Sequence, residues 1–244
     1  MSGGIKSTPF IALVALLASS CSDNGEPAAN AEESTPAAEV LFDGSSLDAF
    51  DFAEGAWEID GEGALTCNME EVKTKSGETK LKGKGYIWTK EQYGDFELSL
   101  SYKLSEGANS GVFYRCRKED PVNQGFEVQL MDNEGFQKTH GPKEPRKLNG
   151  SFYEGAAPLA NPANPVGEWD TLTLKAVGTE MTCHINGVKV FDVDVNDWPE
   201  VGKNPDGTPN KFKVAIKDKP RSGFIGFQNH GQYVWFKDVK IRKL

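Results

Sequence analysis

The chain has 244 residues, with 36 Asp and Glu against 27 Lys and Arg, three His and a net charge of −9. That acidic balance lacks the basic footprint nucleic acid requires, so no nucleic-acid partner is expected. With 38% apolar residues and only four Cys, the sequence can build a core without a disulfide framework.

Residues 1–20 carry Lys6 and no acid, and their apolar run, FIALVALLASS, stops at Cys21. A run this short reads as a secretory signal rather than a membrane span. The small residues leading into the cysteine resemble the processing site of a bacterial lipoprotein, although Ala18 stands where such signals commonly have a branched apolar residue. The expectation is a signal peptide over 1–20, a lipid on Cys21, and export to the periplasm or the outer membrane, the lipid being the only membrane contact. Ser22 favours the outer membrane, and the alternative is a secreted protein cut near the same place. Residues 21–39 have no aromatic and no branched apolar residue, which predicts a disordered tether spanning roughly 20–25 Å. Residues 40–244 then form the folded part. Beyond residue 20 there are 26 basic and 36 acidic side chains, a charge of −10. If Cys21 is lipidated, Cys67, Cys116 and Cys183 allow at most one disulfide, and each reads as a small buried apolar residue.

Along the folded part the dominant period is two. GYIWT (85–89), FELSLSYKL (96–104), FEVQL (126–130), TLTLKAV (171–177), MTCHI (181–185), FIGFQ (224–228) and VWFKDVKI (234–241) all alternate. Asn186-Gly187 between two apolar runs predicts a hairpin, Asn109-Ser110-Gly111 predicts a tight turn, and no stretch predicts a helix. Many short strands without helical crossovers predict an all-β, antiparallel β-sandwich, a single jelly-roll domain. Two longer irregular stretches, 132–168 and 196–222, are expected to wall a cleft.

Four stretches carry more polar side chains than a core needs. In GANSGVFYRCRK they are Asn109 and Arg115; in GFEVQLMDN, Glu127, Gln129, Asp132 and Asn133; in GSFYEGAAP, Tyr153; and in GFIGFQNHG, Gln228, Asn229 and His230. Each has an ordinary structural explanation, including an Arg115–Glu127 ion pair. Gathered on the polar face of one concave sheet, with Trp88, Tyr153 and Trp235 as flat apolar partners, they suit a carbohydrate. Binding and cleavage both stay open on residue chemistry alone.

LFDGSSLDAF, YGDFELSLSYKL, NSGVFYR, FEVQLMD, the Gly-Ser-Phe-Tyr loop, EWDTLTLKA, HINGVKV and SGFIGFQNHGQYVWFKDVKI occur in the order found in the 3-keto-disaccharide hydrolase family, which this chain resembles over residues 40–244. The resemblance implies a concanavalin-like jelly roll in exported proteins acting on 3-keto sugars. Asn229 departs from the family's Gln-Asp-His-Gly, replacing a carboxylate with an amide. A C3 ketone acidifies the C2 hydrogen, so cleavage needs a base, an acid for the leaving oxygen and a group that steadies the enolate. Glu127 and His230 are the expected proton-transfer groups and Arg115 the expected enolate partner, with Asn109, Gln129, Asp132, Tyr153, Gln228 and Trp88 binding substrate. No cofactor is required by this reading, although a divalent cation held by Glu127, Asp132 and a backbone carbonyl stays open. The competing reading is a non-catalytic carbohydrate-binding module.

Overall fold

The computed structural model describes residues 36–244; the expected signal segment, Cys21 and most of the tether lie outside the described residues. Fifteen strands are described: β1 Glu39–Phe42, β2 Phe50–Asp51, β3 Trp57–Ile59, β4 Leu65–Cys67, β5 Met69–Lys73, β6 Thr79–Gly83, β7 Ile87–Thr89, β8 Phe96–Leu104, β9 Asn109–Cys116, β10 Phe126–Met131, β11 Trp169–Val177, β12 Glu180–Ile185, β13 Val188–Asp194, β14 Phe224–Phe227 and β15 Val234–Lys243. They form an antiparallel sandwich, the expected fold. One sheet runs β13-β12-β11-β8-β15-β4-β3 with β1 also on β15, the other runs β10-β9-β14-β7-β2, and β5 and β6 form a separate hairpin.

Alternation explains the packing. In β8, Phe96, Leu98, Leu100, Tyr102 and Leu104 are buried while the residues between them are half-exposed. Their side chains meet those of the smaller sheet, as where Phe96 packs edge-on against Tyr114 at 6.3 Å, and on neighbouring β15 Phe236 stacks on Phe227 at 4.2 Å. Asn186 and Gly187 have φ of 50° and 76°, the left-handed pair a two-residue hairpin demands. Cys67, Cys116 and Cys183 are free and buried, as small apolar residues.

Three local expectations need correction. Asn109 opens strand β9 instead of making a turn, and the chain reverses just before it, where Ala108 N–H donates to Ser105 O at 3.1 Å. A helix, α1 (Asn133–His140), follows β10. It is too short, and buries too little besides Phe136, for its periodicity to stand out. Asp132 caps it, one carboxylate oxygen accepting from Gly135 N–H at 3.1 Å and the other from Gly107 N–H at 2.7 Å.

The remainder of the 132–168 stretch returns along the edge of β10. Gly150 N–H donates to Gln129 O, Gln129 N–H to Ser151 O and Tyr153 N–H to Glu127 O, at 2.8, 3.2 and 3.1 Å. This irregular edge buries the polar face of β10 as well as its apolar one.

Candidate active site

The outer face of the smaller sheet is built from alternate residues of four strands. Register pairs Glu127 with Phe113 and Gln129 with Gly111, and Gly226 with both Phe113 and Trp88. Glycine at two of these positions makes room. A Cβ at Gly111 would lie 2.6 Å from Glu127 Oε1 and 2.9 Å from Gln228 Nε2, and one at Gly226 would lie 2.4 Å from the Trp88 ring. Trp88 can therefore lie flat on the sheet, stacked on Phe113 at 5.6 Å. Tyr86 completes an aromatic floor, 5.6 Å from Phe113 and 6.1 Å from His230.

Glu127 lies at the inner end of this floor and is only 8% exposed. Burial pushes its carboxyl up to about 7, Lys211, the Gln228 amide and Lys219 pull it down, and Glu154 adds a further upward push. The Gln228 amide lies between the two expected proton-transfer groups: it helps to hold the Glu127 carboxyl down, and its Oε1 lies 2.7 Å from His230 Nε2. An amide oxygen can only accept, so Nε2 carries the proton and Nδ1 keeps its lone pair. Loss of hydration, then the charge of Lys211, lowers the His230 pKa, which favours the neutral ring.

Lys211, from the 196–222 stretch, covers the other side. Its Nζ donates to Tyr153 Oη at 2.9 Å and stands 4.3 Å from the Tyr153 ring centroid. Because Tyr153 accepts from Lys211, its own O–H is directed onward. Burial and the nearby Glu127 push the Tyr153 phenol up to about 12, so it stays protonated. The ammonium of Lys211 is itself lowered by desolvation, against the attraction of Glu127 and Glu154.

Glu127, Gln228, His230, Tyr153 and Trp88 are thus brought together. Gln129 and Asn109 lie on the same face further along the strands, bonded to each other from Gln129 Nε2 to Asn109 Oδ1 at 2.8 Å. Two expected members are not brought in. Arg115 has φ of 51° in a bulge, which turns its side chain away from Glu127. Its fully buried guanidinium donates to Gly94 O at 2.8 Å, Gly178 O at 2.7 Å and Asp95 Oδ1 at 2.9 Å. The pairing with Glu127 and the role at the enolate are both corrected by this geometry. Asp132 has both oxygens engaged by backbone N–H groups, one from Gly135 in α1 and one from Gly107 ahead of β9, a structural role in place of the expected substrate contact. Among the described residues no three His, Cys, Asp or Glu side chains gather as a metal site. Trp235 lies on the larger sheet, stacked on Tyr233, and is not part of this floor. Asn229 faces away as well: its Nδ2 donates to Asn68 O at 2.9 Å and its Oδ1 accepts from Gly231 N–H at 3.1 Å, a loop clamp that needs an amide at this position.

Sequence reading missed Lys211, Tyr86, Phe113 and the two glycines. Tyr86 and Phe113 occupy the outward positions of strands recognised by alternation, and that signal could have found them. Lys211 is one lysine in an irregular loop, and nothing in its spacing marks it.

The match to known proteins covers the whole described fold. Residues 37–242 match the 3-keto-alpha-glucoside-1,2-lyase-like domain family. A 3-keto-disaccharide hydrolase of Bacteroides thetaiotaomicron is 23% identical over 230 residues, covering 84% of this chain and 78% of that one. Among solved structures, a candidate glycosyl hydrolase from Parabacteroides distasonis is 29% identical with a TM-score of 0.73, covering 85% of this chain and all of that one. The laminarinase catalytic domain of Thermotoga maritima, 12% identical with a TM-score of 0.51 over 86% of this chain and 98% of its own, shares the fold alone. These likenesses support a carbohydrate-active, glycosidase-like protein. The chain belongs to the 3-keto-alpha-glucoside-1,2-lyase-like domain family.

Proposed function

We propose that this protein cleaves the glycosidic bond of 3-keto-glycosides by elimination followed by hydration. The observation that carries the reading is a buried carboxyl, Glu127, raised by burial to about 7 and grouped with Lys211 and with Gln228, whose amide oxygen holds His230. A base near neutrality suits the weakly acidic hydrogen that lies beside a ketone.

In this reading the apolar C–H face of the sugar ring lies against Tyr86 and the exposed edge of Trp88, the two rings that pack on the buried Phe113. Tyr153 O–H and Lys211 donate to the C3 oxygen, where negative charge develops. Glu127 takes the C2 proton, the electron pair closes the C1–C2 double bond, and the C1–O bond breaks. The protonated Glu127 returns its proton to the departing oxygen. A water then adds at C1 of the enone, Nδ1 of His230 taking its proton, and that proton is delivered to C2, which restores the 3-keto sugar and the neutral imidazole. Gln129 and Asn109 hold hydroxyls further along the cleft.

Release of the aglycone sugar from a 3-keto-disaccharide, followed by chromatography, tests the assignment. Release by the wild type and loss of it in Glu127→Gln is the expected result. Binding without release in the wild type would favour a carbohydrate-binding module instead. The reading also carries export and lipid attachment at Cys21, supported by the apolar run that ends there. Labelled palmitate incorporated by the wild type and absent from Cys21→Ala would agree with it.

A further inference from the structure

The outer face of the larger sheet, on the far side of the sandwich from Glu127, carries an array of aromatic rings and ammonium groups. Cross-strand register sets Trp235, Lys103 and Trp169 in one row. Lys103 Nζ stands 4.7 Å from the Trp235 ring centroid and 5.0 Å from that of Trp169, and Lys237 Nζ stands 4.3 Å from Trp169. Tyr233, 45% exposed, extends the row by stacking on Trp235 at 5.9 Å. The following rows pair Lys237 with Ser101 and Lys240 with Ser99.

Among the described residues, no carboxylate lies within ion-pair distance of Lys103, Lys237 or Lys240. Asp238 lies between the last two in sequence, at a bulge with φ of 53°, and forms no ion pair either. Lys103, Lys237 and Lys240 thus place three cations close together on a chain whose net charge is −9, with Glu58 at the far end of the Trp235 row and Glu97 neutralised by Arg242 at the other edge.

We propose that this face is a second carbohydrate-binding surface, one that takes an extended acidic polysaccharide of the uronate type. Neighbouring strands lie about 4.8 Å apart and alternate residues about 6.7 Å, so flexible lysine ends can meet carboxylates repeated along a sugar chain. Ser99 and Ser101 supply hydroxyl partners between the charges, and the half-exposed indoles offer apolar surface to sugar C–H groups. The rows from Trp235 to Lys240 carry no protruding aliphatic side chain, which an inserted bilayer contact would need. The surface is independent of the cleavage site, because the two lie on opposite sheets.

Affinity electrophoresis of the full chain in gels containing polygalacturonate, with dextran gels as control, tests the proposal. Retardation in polygalacturonate alone is expected, weakened about tenfold in Lys237→Glu/Lys240→Glu and by raising NaCl from about 50 to about 300 mM. Aglycone release should be unchanged in that variant. If the double reversal unfolds, Lys240→Gln, on an exposed side chain, should show the same loss in part. Equal migration in both gels, retardation untouched by these substitutions, or binding to phosphatidylglycerol vesicles without binding to polygalacturonate would each overturn the proposal.

Discussion

Gly111 lies directly beneath Glu127: a Cβ at residue 111 would be 2.6 Å from the carboxylate oxygen. The glycine in Asn-Ser-Gly is there for the neighbour's side chain, since the strand runs straight through it. Gly111→Ala must displace Glu127 and the Gln228 amide together. It should cost about 1–3 kcal/mol of stability, as overpacking does, and lower turnover at least tenfold, a displacement effect. Urea denaturation and turnover of the same preparation check both, and wild-type turnover in the variant would remove Gly111 from the site.

Glu127 also sets a pH dependence with two opposite signs. Its folded-state pKa of about 7 lies above the ordinary 4.5, so the folded protein binds the extra proton between those values. Stability fully present below about pH 4.5 is therefore lost as pH rises from there through 7, roughly 3 kcal/mol by pH 8. Activity runs the other way, because the base must be ionised. kcat/KM should rise with pH through about 7, and Glu127→Gln should flatten the corresponding part of the stability profile measured by denaturation at several pH values.

Arg115 is a structural residue, and its loss should read as instability. Removing the buried guanidinium leaves the carbonyls of Gly94 and Gly178 without donors and Asp95 without its cation. Arg115→Ala should cost roughly 3–5 kcal/mol. Arg115→Lys should rescue only part, because an ammonium cannot reproduce the fork. Thermal melting gives the loss, while turnover per folded molecule below the melting range should stay close to wild type.

Lys211 is the converse case. It is exposed on a loop and holds no core residue, so Lys211→Met should leave the melting temperature nearly unchanged. Its loss should cut kcat about 10²–10³-fold, as removal of a charge-stabilising donor does. Tyr153→Phe should act in the same direction, and steady-state kinetics on a 3-keto-glycoside separates kcat from KM.

What the sequence made legible followed from periodicity. Alternation in FEVQL identified the outward pair Glu127 and Gln129, and the Asn186-Gly187 turn held because left-handed residues are required there. What it hid came from single-residue departures. A positive φ at Arg115 reverses a side chain that strict alternation puts beside Glu127, and Asp132 leaves the strand to cap a helix too short to announce itself. Trp235 has an aromatic's chemistry but belongs to the other sheet, a pairing no local pattern encodes. Lys211 reaches the site only because a long loop folds back over β10.

Aglycone release from a 3-keto-glycoside deuterated at C2, compared with the protiated compound, tests the central claim most directly. If Glu127 removes the C2 proton, the deuterated substrate should react more slowly with the wild type, and Glu127→Gln should release almost nothing from either. Equal rates for the two substrates, together with undiminished release by Glu127→Gln, would contradict it.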